Sequence, residues 1–169
     1  MTNLINVRGF APLIGPDSFI AQTAIIIGDV IAGNHCSFWF NAVIRGDVNS
    51  IRIGDFTNIQ DGAVIHATFE RSTTTIGNHV SIGHNAIVHG CNIFNYVLIG
   101  MGAIIMDDAI VEDYCIIAAG AVVLERTVCQ SGYLYAGIPA KKIKPLTTEQ
   151  RSLLEKTPVN YVLYSSWFI

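Results

Sequence analysis

Large apolar residues recur along this chain every six positions, and a small or β-branched residue follows each of them four places later. The openers fall at Ile20, Ile26, Ala32, Phe38 and Ile44, then at Ile53, Ile59 and Ile65, then at Ile76, Ile82 and Val88, and last at Ile93, Ile99, Ile105, Val111, Ile117 and Val123. Fourth-place partners such as Ala24, Val30, Cys36, Ala42, Val48, Ala63, Val80, Ala86, Ala103 and Cys115 keep the rule, which Phe69 and Asn92 break. Side chains two apart on a strand share a face, so each fourth-place residue and the next opener point inward while the residues beside the opener point outward. Each hexad is then a short strand and a corner. A β-sandwich needs a turn every ~8 to 12 residues. A six-residue period instead fits a closed three-sided parallel coil, three hexads to a turn, with turns stacked about 4.8 Å apart. Gly54, Gly77, Gly83 and Gly100, each directly after an opener, suit tight corners where a missing Cβ relieves strain.

The register slips between Ile44 and Ile53, between Ile65 and Ile76, and between Val88 and Ile93, and each slip marks an excursion from the coil. The polar stretch Phe69 to Thr75 reads as a surface loop, a common place for function on a rigid scaffold. After Val123 the period fades, and Gly137-Ile138-Pro139 with Lys141, Lys142 and Lys144 leads to Pro145. The β-helical domain is therefore placed at 1–145 and a helical segment at 146–169. Thr147 with Gln150 three places on resembles a capping box, and Leu146, Leu153 and Leu154 predict an amphipathic helix to about Lys156. A second short helix is expected from Pro158, its Tyr161, Val162, Tyr164, Trp167 and Phe168 packing along the solenoid or a neighbour.

At 169 residues the chain has the length of one domain with a full core. Its 51% hydrophobic and 14% charged content raises the question of a membrane. The longest apolar stretches, Tyr96–Met106 and Cys115–Leu124, are too short to span one. No membrane partner is expected, and the apolar surplus belongs to a core or a subunit interface. A formal charge of −3 without a Lys/Arg run argues against nucleic acid, whose binding depends on clustered cations. The start MTNLINVRGF lacks the basic-then-apolar pattern of a secretion signal, which predicts a cytoplasmic protein. Cys36, Cys91, Cys115 and Cys129 form no CxxC pair and read as reduced thiols acting as small hydrophobes.

Outward positions after an opener are often glycine or small, yet Arg45, Gln60, His66 and His89 occupy four of them. His84 sits one place further on, and Asn58 points outward just before Ile59. His35 and His79 read as corner residues in water. His66, His84 and His89 offer three imidazole nitrogens, the set that holds a catalytic zinc with a fourth position open; the plain alternative is three unrelated surface histidines. The separation of His66 and His84 equals one ideal turn, but the loop between them leaves their stacking open, and a site between subunits is natural.

These residues form a set: R-G-D at Arg45-Gly46-Asp47, N-x-Q-D from Asn58 to Asp61, His66, His84 and His89, Gly137-Ile138-Pro139-Ala140, and Asn160-Tyr161. With it the chain resembles, over nearly its whole length, the γ-class carbonic anhydrases and their ferripyochelin-binding-like relatives, left-handed β-helix proteins of the hexapeptide-repeat family. The resemblance implies a mainly β, single-stranded left-handed parallel β-helix with one or two C-terminal helices. It implies a homotrimer with a Zn2+ on His66 and His89 of one subunit and His84 of its neighbour; Fe2+ and Co2+ are alternatives, since histidine accepts all three. The implied reaction is hydration of CO2 to bicarbonate by metal-activated water. Gln60, supported by Asn58, would orient that water, Arg45 would meet bicarbonate, and Tyr161 or Tyr164 would reach the pocket. Arg45, Asp47 and Asp61 would form interface ion pairs.

The chain also departs from the pattern. Val48 stands where the well-studied enzymes carry a carboxylate near the metal, and Glu70, the one acid in the loop after His66, is one place off a proton-shuttling position. Slow turnover is therefore expected. Two other functions fit hexapeptide solenoids: acyl transfer or acyl-CoA thioester hydrolysis, with Lys141, Lys142 and Lys144 turned to phosphates, and a non-enzymatic trimeric scaffold.

Overall fold

A computed structural model describes residues 3–168, leaving Met1, Thr2 and Ile169 outside the described residues. The chain winds into a parallel β-solenoid of about seven turns, mainly β and consistent with the left-handed β-helix, followed by one helix. The expected openers stack into three inward columns. Ile26, Ile44, Ile65, Val88, Ile105 and Val123 line the first face. Ala32, Ile53, Ile76, Ile93, Val111 and Cys129 line the second. Phe38, Ile59, Ile82, Ile99 and Ile117 line the third. Nearly all are fully buried, and each large side chain contributes roughly 1.5–3 kcal/mol by leaving water.

Stacked partners are usually 18 residues apart, as in Leu98 on Ile116. The step lengthens from Val43 to Val64, lengthens further from Val64 to Ile87, and shortens from Ile87 to Ile104. All three changes fall on one edge, between the first and second faces, where the register slips in the sequence. The core absorbs them by changing which residue turns inward. Val48 is only half-buried and Ile51 takes its inward place, while Thr74 and Cys91 do so where Phe69 and Asn92 broke the rule.

The corner glycines serve a different purpose from the one expected. Gly54, Gly77, Gly83 and Gly100 do not have positive φ; the left-handed residues come two places later, as at Phe56, His79, Asn85 and Gly102. What demands glycine is close approach between stacked corners: a Cβ on Gly100 would lie 2.5 Å from the Ala119 nitrogen. His35 and His79 are likewise not rings in water. They belong to a stack His35–Phe56–His79–Tyr96–Tyr114 up the edge between the second and third faces, with centroids 4.7–5.0 Å apart. The four cysteines are free and buried. Desolvation pushes the Cys36 and Cys115 thiols up to about 11 and that of Cys129 to about 12, so they stay protonated and inert.

At the C-terminal end Tyr133–Ala136 continues the third face and Lys141–Pro145 returns antiparallel to it. Thr147 and Gln150 form the expected capping box. The helix then differs from expectation: it runs unbroken from Thr148 to Ser165 with Pro158 inside, and a single 3-10 turn, Ser166–Phe168, follows. An internal proline costs about 3 kcal/mol or more in a helix. Here Leu154 and Pro158 are both buried, and that packing carries the helix through. The helix lies over the third face, against strands Ser37–Phe38 and Ser81–Ile82. Among the described residues no helix is long and apolar enough to cross a membrane.

Candidate metal centre

His66 and His89 close successive rungs of the first face, and the strand register pairs them directly. The loop excursion makes their separation 23 residues instead of 18, so His89, not His84, stacks on His66. His66 Nδ1 lies 3.2 Å from His89 Nε2. The outer nitrogen of each ring meets a carboxylate: His66 Nε2 is 3.0 Å from Asp47 Oδ1, and His89 Nδ1 is 3.2 Å from Asp107 Oδ2. Burial would raise the Asp47 pKa, but hydrogen bonds from Arg45 and His66 outweigh it and hold the group below the usual carboxylate range. For Asp107 burial is likewise outweighed, by the Ser72 hydrogen bond, the His89 charge and the Thr68 hydrogen bond.

An ionised carboxylate only accepts hydrogen bonds. Where each ring donates to its carboxylate, the two remaining imidazole nitrogens are lone pairs facing each other across 3.2 Å. That arrangement is repulsive unless a cation sits on it. A shared proton is disfavoured at His66, where burial lowers the pKa and the Arg45 and His89 charges act the same way, against the opposing hydrogen bond to Asp47. A divalent metal suits the donor set, since neutral imidazole is its common ligand.

The remaining site residues gather on the edge between the third and first faces. His84 Nδ1 is 2.9 Å from Asp61 Oδ2. Asn58 and Gln60 point away from the coil yet are only 1% and 5% exposed, because the C-terminal helix lies over their face. Gln60 Nε2 donates to Asn58 Oδ1 at 2.9 Å, and Asn58 Nδ2 donates to Ser81 Oγ at 2.8 Å. Gln60, His84, Leu98, Met101, Ile116 and Tyr161 share an apolar groove of about 420 Å³. Tyr161 sits edge-on to Trp39, and burial, with Asp61 and Tyr164 nearby, pushes its hydroxyl up to about 12. Tyr164 packs on Tyr161 and Trp167.

Within one chain these residues fall into two separate groups: Arg45, Asp47, His66 and His89 on one edge, and Asn58, Gln60, Asp61, His84 and Tyr161 on another. Arg45 pairs with Asp47, while Asp61 faces His84. Among the described residues no three metal-ligating side chains come together. Between the two edges the first face shows water a row of Ile25, Val64 and Ile87, each 37–39% exposed. Val48 lines a small cavity with Arg8, Asp29 and Asn49, and Glu70 lies exposed in the loop at φ 53°. Asp107 belongs to no motif, and because the coil shortens at this turn, pairing Ile87 with Ile104, a count of one turn from His89 lands on Met106, one place short of it.

The chain matches a family model described as bacterial transferase hexapeptide (six repeats) over residues 90–125. It is 39% identical to gamma carbonic anhydrase 1, mitochondrial, of Arabidopsis thaliana over 94% of its length, and it spans 59% of that longer relative. It is 41% identical to the probable carbonic anhydrase of Methanocaldococcus jannaschii, covering 86% of this chain and 91% of that one. A crystal structure of a hexapeptide transferase family protein from Anaplasma phagocytophilum superposes with a TM-score of 0.94 at 40% identity over 98% of both chains.

Proposed function

Because the chain belongs to the γ-class carbonic anhydrase family of hexapeptide-repeat proteins, we propose that it hydrates CO2 to bicarbonate at a divalent-metal site. His66 and His89 of one copy and His84 of a second would hold the ion, in a homotrimer. The observation that carries this reading is the pair of facing nitrogens, each backed by a carboxylate. The exposed row Ile25, Val64 and Ile87 is the apolar surface a second copy would cover, and covering it moves one protomer's His84 edge toward the other's His66 and His89.

Zn2+ is the ion proposed, with Fe2+ and Co2+ as alternatives; such an ion, when bound, lowers the pKa of its water to about 7. The side chains do the rest. Gln60 has its Nε2 committed to Asn58, which leaves Oε1 to accept a hydrogen bond from a water and fix its direction. Arg45, part-exposed beside Asp47, offers a planar fork of donors that fits bicarbonate. Tyr161, kept protonated by its raised pKa, is a donor on the groove wall. Val48 provides no carboxylate and Glu70 lies on an exposed loop, so proton release sets the pace and added imidazole buffer raises the rate. Stopped-flow CO2 hydration by zinc- and iron-loaded protein is expected to exceed the metal-free rate, and to return to it in His66→Ala, His84→Ala and His89→Ala. Equal rates with and without metal in the wild type would end the proposal.

The groove beside His84 is larger than CO2 needs, which favours acyl-group chemistry as a second reading. Consumption of acetyl-CoA in the presence of an amine or water acceptor decides it; a flat calorimetric titration removes it.

A further inference from the structure

Of the two carboxylates behind the facing histidines, the one behind His89 is the more deeply buried. Asp107 is 8% exposed, and both of its oxygens are engaged. Oδ2 lies 3.2 Å from His89 Nδ1, and Oδ1 accepts from the Ser72 hydroxyl and, at 3.1 Å, from Thr68 Oγ1. Ser72 Oγ in turn accepts from the Thr68 backbone N–H at 3.1 Å. The excursion loop therefore folds down onto the carboxylate. The backbone behind the two histidines is tied as well: Thr74 Oγ1 donates to the His66 carbonyl at 2.6 Å and accepts from the Gly90 N–H at 3.0 Å.

Gly90 shows how closely these parts fit. It has φ 57°, and a Cβ built there would stand 1.9 Å from Asp107 Oδ1 and 2.2 Å from Ser72 Oγ. The residue after His89 thus has to lack a side chain for the loop hydroxyl and the carboxylate to meet.

We propose that Asp107, fixed by Thr68 and Ser72, is a positioning residue that holds His89 as the Nδ1–H tautomer and so presents its Nε2 to the metal. The proposal rests on the metal reading above. A carboxylate behind a ligating histidine fixes the ring and raises its basicity, and losing one weakens metal binding about 10- to 100-fold. Asp47 stands in the same relation to His66, but it is shared with Arg45 at a more open position. Asp107 is the one clamped by the loop.

The test compares Asp107→Asn, nearly identical in shape, with the wild type in two ways. Zinc affinity, read by competition with a chelator, should fall about 10- to 100-fold while the circular dichroism and melting temperature of the metal-free protein stay close to wild type. Histidine 15N shifts in the metal-free protein should show His89 as the Nδ1–H tautomer in the wild type, and a changed or mixed tautomer in the variant. A purely structural tether would leave those shifts alone. Wild-type affinity and wild-type shifts in Asp107→Asn overturn the proposal. Should that variant fail to fold, Ser72→Ala removes a single donor to Asp107 and is expected to weaken zinc several-fold; no weakening overturns the proposal too. A wild type that takes up no zinc, like His66→Ala and His89→Ala, refutes the metal reading itself, and the tautomer measurement then stands apart from it.

Discussion

His79 places a titratable ring in a stack whose neighbours are Phe56 and Tyr96. Its Nδ1 is buried without a hydrogen-bond partner, and desolvation lowers its pKa, against a small opposing effect of Asp55. The folded protein therefore binds this proton less well than the unfolded chain, whose histidines titrate near 6.5. Its contribution is complete above that pH and is lost as pH falls through it, levelling off below the folded-state pKa. Replacing the ring by His79→Tyr, with a neighbour's chemistry and the same left-handed backbone as Tyr96 and Tyr114, should flatten this part of the melting temperature's pH dependence as pH falls through the ordinary histidine range. An unchanged pH profile would show that the ring does not titrate in the stack. At this scale the sequence is an uneven guide. Histidines in motifs can be picked out, but a corner histidine in water and one in a stack carry the same letters. The corner glycines were legible as corners, while their reason, contact between successive turns, lies between residues far apart in the sequence.

At the level of elements, the C-terminal helix turns an outward polar row into a buried one, and Asn58 and Gln60 owe their fixed geometry to it. Leu154, 2% exposed and clustered with Ile116 and Leu146, fastens it down. Truncation by Leu154→Ala is expected to cost about 2–5 kcal/mol in the denaturant midpoint and to loosen the Asn58–Gln60 pair, lowering hydration more than zinc affinity. The helix start was readable because a capping box is local chemistry between Thr147 and Gln150. Its end was not, because a stop signal at Pro158 is weighed against side-chain packing from distant strands.

For the whole molecule, the six-residue period was legible because each inward column repeats apolar residues, Ile59, Ile82 and Ile99 among them. The pairing of His66 with His89 lay hidden behind one uncertain loop length, and Asp107 behind a shortened turn. The proposed site between copies makes a prediction that belongs to the assembly. When His84→Ala and His89→Ala proteins are co-refolded, the proposed closed trimers, mixed at random, should regain roughly a quarter of the wild-type sites, because one copy would bring intact His66 and His89 and its neighbour an intact His84. No recovery in verified mixed trimers would mean that each site lies within one chain. The three changes of register have a consequence of their own. They share an edge, so the coil keeps strict metre along two seams and tolerates free verse along the third. Three extra residues between Phe69 and Glu70 should leave the coil folded but open the Thr68–Ser72 turn that holds Asp107, whereas the same insertion beside Gly100, where stacked backbones touch, should prevent folding. The margin that accepts new length is also the one that borders the histidines, so such a protein can be given a different reactive rim without rewriting its interior.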